Sequence, residues 1–464
     1  LTAPGGYVSF RATFFESSFH LTNLVSGTFM VGLLKISAAF AAIIFMVRKK
    51  VNLGTAMVLG AVSLALLSGA GAFFLDSGTA ITPADFLSII WKALSTPSIL
   101  KLNGVVVLVL ILSHCLEKTG QMNRILQSVQ ALVGDARVVL SSLPALIGLL
   151  PMPGGAVFSA PMVEEAQKEI NLSPIKKTLI NYWFRHLWEY SWPLYPGLLL
   201  ASELSGMSVF KLAAIQSPLT VGALVGGIIF ILRKVPPPAS TTAGSRKKFR
   251  FTTMAVEISP IASIITIVVF LYAVIGMESK DSLLVALVVA IALTLLINNL
   301  KKGMRPVEVL KSVSVGGILN LVYVIVGLMI FRGAIQDSGA VGEISATMKA
   351  YHVPLFPFVV SLSFICGFVT GLAMAYVGIV FTILTPLLAQ VTSNPLPFLV
   401  LAFGSGFIGV LFSPVHVCLI LTHQYFKSDF SPVYRGMIKP ALVVFATLIG
   451  LFLTLLYLVP ASNL

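Results

Sequence analysis

Apolar residues run along this chain in long blocks, separated by short polar or charged segments. Continuous apolar stretches lie at about 21–47, 53–75 and 99–116, then less evenly at 139–163 and 178–205, and again at 210–232. The second half repeats the rhythm at about 254–276, 281–298, 313–335, 354–390, 395–426 and 433–460. Blocks of about 20 apolar residues predict membrane-spanning helices, because that length crosses a hydrocarbon core about 30 Å thick. Four blocks are interrupted near their middles. Leu150-Pro151-Met152-Pro153-Gly154-Gly155 and Thr370-Gly371-Leu372-Ala373 break 139–163 and 354–390; Ser191-Trp192-Pro193 and Ser413-Pro414 break 178–205 and 395–426. Pro and Gly end or kink helices, and unpaired backbone at membrane depth is tolerated only where protein or a water-filled cavity surrounds it.

The interruptions recur in register. An apolar span ends in Glu117-Lys118-Thr119-Gly120 in the first half and in Gln336-Asp337-Ser338-Gly339 in the second. From Gly120 the hairpin glycine Gly154 is 34 residues on, and from Gly339 the glycine Gly371 is 32 on. The prolines of the second interruptions, Pro193 and Pro414, follow at 73 and 75. Each half then reads as three spans, a hairpin, a broken span and a final span. Five crossings per half is odd, so the halves are inverted in the membrane. The expected fold is an all-α polytopic membrane protein of two inverted-topology repeats, with about ten transmembrane helices, two re-entrant hairpins and two broken helices. Its expected segments are an N-terminal lead-in at 1–20, a first repeat at 21–232, a basic linker at 233–253 and a second repeat at 254–464. Isolated Gly/Pro kinks are the simpler reading of any single break; four in two-fold register favour the repeat.

Charge then sets the sidedness. The linker holds Pro236-Pro237-Pro238 and six basic residues, and Arg48-Lys49-Lys50 and Lys301-Lys302 with Arg305 also flank apolar stretches. Placing these inside by the positive-inside rule puts the N-terminus outside. The alternation holds only if 139–163 and 354–390 each enter and leave on one side, as hairpins do.

Composition agrees. Of 464 residues, 57% are hydrophobic and 10% charged, against about 45–50% and 25% in soluble domains. No polar block of domain size exists, which excludes a single anchor carrying a soluble catalytic domain. The 31 Lys and Arg against 17 Asp and Glu give +14, which reads as flanking charge, so no nucleic-acid partner is expected. Cys115, Cys366 and Cys418 have no metal-ligand spacing and read as small packing residues, with no metal site expected. The first twenty residues show no signal-peptide pattern and read as an interfacial lead-in.

Half-helices that end at the midplane leave unpaired N–H groups and positive dipole ends, which suit an anion. The expected substrate-binding residues are Gly154, Gly155, Ala156, Ser159, Arg185, Ser191, Thr370, Gly371, Ala373, Ser413 and Pro414. Ser159 and Thr370 offer hydroxyls, although such residues often bond their own preceding turn. Arg185 and Glu189 lie four apart and share a helix face, with Asn181 one turn before. Ionisable residues at depth usually mark a pathway, so Arg185 is the candidate for countering an anion and Glu189 for coupling. The structural alternative is an interfacial Arg185 with Glu189 as its partner. His416, beside the second break, is the other coupling candidate, set against an ordinary buried histidine. Trp183, Trp188 and Trp192 read equally as a belt, a packing surface or a substrate wall.

The stretch from Leu143-Pro144 through Pro161 with Glu164-Glu165, the Trp-rich segment to Pro196, and the second-half Gly-Phe-Val-Thr-Gly and Phe-Ser-Pro resemble a known family. It is the prokaryotic domain of unknown function 401, grouped with the ion transporter superfamily, and the resemblance runs from about residue 30 to the end. The superfamily includes gluconate, citrate, dicarboxylate and lactate permeases. The resemblance implies an inverted-repeat fold, an elevator-like motion and a small organic anion as cargo. Ser-Asn-Thr, which sodium-dependent dicarboxylate members carry at their hairpin tips, is absent here.

The expected function is secondary active transport of a small organic anion, a carboxylate first, coupled to H+ or Na+ and with no other cofactor. An anion channel or facilitator of the same fold is the alternative. An intramembrane hydrolase or other enzyme is not expected, since His-Glu-x-x-His, Gly-x-Ser-x-Gly and Gly-x-Gly-Asp are missing; nor is a primary pump, since no phosphate-binding loop is present. The expected partners are the anion and the lipid bilayer, with a homodimer left open, in the cell inner (cytoplasmic) membrane.

Overall fold

A computed structural model describes residues 34–75, 80–132, 135–152, 155–167, 170–235 and 251–458. The lead-in at 1–20 and linker residues 236–250 lie outside the described residues, as does the tip residue Gly154. The first-half helices are α1 (34–48), α2 (Leu53–Leu75), α3 (Pro83–Ser95), α4 (Pro97–Lys118), α5 (Gln121–Leu132), α6 (Ala136–Gly148), α7 (Ala156–Ala166), α8 (Pro174–Arg185), α9 (Pro196–Ser205) and α10 (Val209–Phe230). The second-half helices are α11 (Phe251–Val268, continued by a π-helical stretch Val269–Val274), α12 (Ser279–Leu300), α13 (Pro306–Lys311), α14 (Val315–Asp337), α15 (Ala340–Ala350), α16 (Leu355–Thr370), α17 (Ala373–Val391), α18 (Leu396–Leu411), α19 (Val417–Phe426) and α20 (Phe430–Leu458).

The two sets match element for element. Each has two apolar helices, a short helix before a third long one, a short helix after it, two interrupted pairs and a closing long helix. The short helices α3, α5, α13 and α15 were not among the sequence-predicted elements. They are too polar or too short to span; α3, at 13 residues, carries both Asp85 and Lys92. The match extends to conformation: α5 and α15 follow the left-handed residues Gly120 (φ +68°) and Gly339 (φ +71°). The ten-residue helices α9 and α19 end at the left-handed Gly206 and Lys427.

Eight described helices are long and apolar enough to cross a bilayer: α2, α4, α10, α11 with its π-helical extension, α12, α14, α17 and α20. The protein is an all-α polytopic membrane protein. At ten residues, α9 and α19 reach about 15 Å, half the hydrocarbon thickness, so each completes a crossing only together with the helix before it.

The chain forms two compact units, each drawing on both halves of the sequence. One takes residues up to Leu94, Tyr323–Phe358 and Thr382–Pro395; the other takes Ser95–Val322, Val359–Phe381 and Leu396–Leu464. In the first, Gly54 of α2 lies against Tyr323 and Gly327 of α14, so the two backbones come close, and Lys35 pairs with Glu343 at 3.3 Å. In the second, α10 packs on α20, where Gly222 meets Thr447 and Gly226 meets Pro440. Small residues at such contacts replace the hydrophobic driving force that lipid removes. Also in the second unit, α4, α11 and α12 pack together, and charge gathers at both ends of α12. Glu257, fully buried, binds Arg124 at 3.1 Å and also Lys301, while Lys101 binds Glu278 at 2.7 Å and Asp281 at 2.8 Å.

Candidate functional site

The second unit gathers the interruptions. Sequence predicts the first broken helix to give way at Ser191-Trp192-Pro193, but α8 already ends at Arg185, and a 3-10 turn over Leu187–Tyr190 leads to α9 at Pro196. Arg185 and Glu189 therefore do not share a continuous helix face. They face each other at 4.0 Å, beyond hydrogen-bond range, and Glu189 lies nearer His186, at 3.7 Å. The early end has local causes: His186 Nδ1 takes up the Tyr182 carbonyl at 2.6 Å, and Trp188 Nε1 donates to Ala145 O at 2.9 Å. Those bonds hold the turn away from helical geometry before any proline is reached.

Arg185 is 2% exposed, so protein encloses its guanidinium. Its Nη2 donates to Met152 O and its Nη1 to the Tyr195 hydroxyl, both at 3.1 Å; Tyr195 in turn donates to Gly148 O. One guanidinium edge lies against the hairpin tip, where a Cβ on Gly155 would stand 2.7 Å from Nη2 and 2.9 Å from Nε. Nε itself has no partner. Beside it α7 begins with no side-chain cap, so its first N–H groups and a cation share one place. Asn181, fully buried, donates to Ala156 O at 3.1 Å and to Thr422 Oγ1 at 3.2 Å, fixing this end of α7 to α8 and α19.

In the second half α18 ends at Leu411 and α19 begins after His416, which caps it without a side-chain bond. His416 Nδ1 reaches Gly371 O at 2.7 Å, and its Nε2 lies 3.1 Å from His186 Nε2. Gly371 is left-handed (φ +62°) and so close to Ser413 that a Cβ there would sit 2.8 Å from Oγ, so only glycine fits without strain. Cys418 completes the cluster: it, His186 and His416 offer ligand atoms within 4.8 Å of one another, all buried. The sequence reading took Cys418 as a small packing residue; the fold sets it, buried, beside two histidines.

The other expected site residues are placed as follows. Gly155 and Ala156 form the tip beside Arg185. Ser159 and Thr370 bond their own helices, to Ala156 O at 3.3 Å and Cys366 O at 2.8 Å. Ser191 Oγ lies 2.7 Å from Thr220 Oγ1 of α10. Ser413 is buried beside Gly371, Ala373 packs on Gly197, and Pro414 is exposed. Trp183 bonds Ala223 O at 2.9 Å, a packing role. A cavity of 380 Å³ opens next to the first tip, lined among others by Pro151, Met152, Phe158, Ser113, His114 and Glu117. Met152 joins it to Arg185.

A family model described as "Protein of unknown function (DUF401)" matches residues 33–458. The chain belongs to that family. Among solved structures it is similar to the YdaH transporter of Alcanivorax borkumensis, whose crystal structure is described as having an unusual topology. The TM-score is 0.60 at 11% identity, covering 88% of this chain and 98% of that one, a likeness of fold. No curated protein matches the chain. In this family member, sequence reasoning missed His186, Tyr195 and Cys418 as parts of the site. The signal for Tyr195 was present, since it caps α9 as His416 caps α19. His186 and Cys418 are 232 residues apart, and only the fold joins them.

Proposed function

We propose that the protein is a secondary active transporter of a small organic anion, a carboxylate first, driven by a proton or sodium gradient. The observation that carries this reading is Arg185. A guanidinium buried in a membrane protein, with Nε unpartnered and Glu189 beyond hydrogen-bond distance, is costly unless an anion completes its bonding. A carboxylate at Arg185 and the uncapped start of α7 receives charge-assisted hydrogen bonds from both. The adjacent 380 Å³ cavity is of the size that small ligands occupy. Support from likeness comes from the transporter fold and from the resemblance to the ion transporter superfamily with its gluconate, citrate, dicarboxylate and lactate permeases. In this reading the inverted halves move the site by an elevator-like displacement, in the inner membrane, with the N-terminus outside.

The test is uptake of labelled carboxylates into liposomes holding the purified protein, under imposed proton or sodium gradients. Accumulation above the external concentration is expected. Equilibration without accumulation makes the protein a facilitator or channel, and no movement of any carboxylate under any gradient refutes the reading.

A further inference from the structure

The two histidines at the centre of the site present an unresolved pair of lone pairs. His186 Nδ1 lies 2.6 Å from the carbonyl oxygen of Tyr182, and His416 Nδ1 lies 2.7 Å from that of Gly371. A carbonyl only accepts, so both Nδ1 atoms carry hydrogen, and in neutral rings both Nε2 atoms are acceptors. These two acceptors face each other at 3.1 Å. Two lone pairs at that distance repel unless a cation lies between them.

We propose that His186, His416 and Cys418 bind one transition-metal ion of the zinc class, with the Glu189 carboxylate as fourth ligand. Tetrahedral zinc with Zn–N bonds of about 2.0–2.1 Å sets its two nitrogens about 3.3 Å apart, and a thiolate about 3.6 Å from each. The nitrogens stand at 3.1 Å and the sulfur is within 4.8 Å of both, so three donors already cluster, and Glu189 Oε1, 3.7 Å from His186 Nε2, turns toward them to supply the fourth. The carbonyl contacts at both Nδ1 atoms are the outer bonds that orient metal-binding imidazoles and fix their tautomer. A shared proton also joins two imidazoles, with Glu189 as its countercharge, but it does not use the Cys418 sulfur as a ligand. A divalent ion engages all four donors, and its charge is cancelled by one thiolate and one carboxylate, as a buried site requires. Imidazole with thiolate selects zinc or a softer neighbour over magnesium or calcium. The ion ties the α8–α9 break to α19 and, through His416, to the tip at Gly371. It does not depend on what the cargo is.

The test uses the full chain, purified in detergent with a tag free of histidine and cysteine, stripped with a chelator and reloaded with zinc alone. One zinc per chain is expected, and His416→Gln and Cys418→Ser should each weaken binding by more than the roughly 10–100-fold that loss of an outer-shell partner costs. Cobalt in place of zinc should give the wild type a tetrahedral spectrum with a thiolate charge-transfer band that Cys418→Ser removes; the wild-type spectrum needs no variant to fold. His423→Gln, away from the cluster, should bind as the wild type does. Wild type that binds no more zinc than His416→Gln, or whose cobalt spectrum lacks the thiolate band, overturns the proposal and leaves a proton between the rings.

Discussion

The two interrupted regions share a plan but not a chemistry. In both, a hairpin of two helices precedes a broken helix whose ten-residue second part is capped by a residue that reaches back to a carbonyl of its own hairpin: Tyr195 to Gly148, His416 to Gly371. Yet α8 brings Lys176, Lys177, Asn181 and Arg185 into its 12 residues, whereas all 16 residues of α18 are buried, apolar or small, and none is ionisable. Arg185 and Leu411 close the two matching helices. The repeat therefore supplies a scaffold with two facing breaks, while the first half supplies charge and the second shape. A symmetric pair of charged breaks would place two guanidiniums within one low-dielectric pocket, where their repulsion is large.

That asymmetry can be broken by substitution. Arg185→Gln is expected to abolish carboxylate uptake, by about 100-fold or more, since a charge-assisted contact is lost along with the cation that lies against this tip. Leu411→Met at the matching position should change uptake less than about twofold, because the swap conserves volume. Equal losses in the two variants would show that the halves share the binding role.

The tip glycines sharpen the contrast. Gly371→Ala is expected to lower thermal stability by about 1–2 kcal/mol or more, from the left-handed backbone and the contact with Ser413. Gly155→Ala meets the movable guanidinium of Arg185 instead, so uptake should fall about tenfold with a smaller stability loss. Thermal unfolding and uptake on the same two preparations separate these outcomes; the reverse ranking would contradict the division of roles.

Among the caps, Tyr195→Phe removes a hydroxyl that both accepts from Arg185 and donates to Gly148 O. A stability loss of about 1–3 kcal/mol is expected, with weaker uptake, read by denaturation and transport assays. Smallest of all, Ser159→Ala and Thr370→Ala each remove a bond within their own helix, and uptake should stay within about twofold of wild type. A large effect of either would place that hydroxyl on the cargo.

Much of the fold was legible in the sequence because membrane helices write themselves as apolar blocks, and because Gly371 and Pro414 mark breaks that the backbone then makes. Arg185 stood out for the same reason: a charge inside an apolar block has few explanations. The break at His186 was not legible. No helix breaker precedes Pro193, and the helix ends early through the Trp188 and His186 bonds, which are tertiary or follow from the turn itself. Nor was the placement of Cys418, whose neighbour His186 comes from the other half of the chain. The short helices between spans lack a long apolar run and so escaped a reading built on such runs.

The measurement that bears most directly on the central claim is a thermal-shift screen of small carboxylates on purified wild-type protein and Arg185→Gln, with and without sodium. A ligand at 100 times its Kd stabilises the native state by about 2.7 kcal/mol. At least one carboxylate should raise the wild-type Tm and leave Arg185→Gln unmoved. Identical shifts in the two proteins, or none with any carboxylate, would contradict an anion site at Arg185.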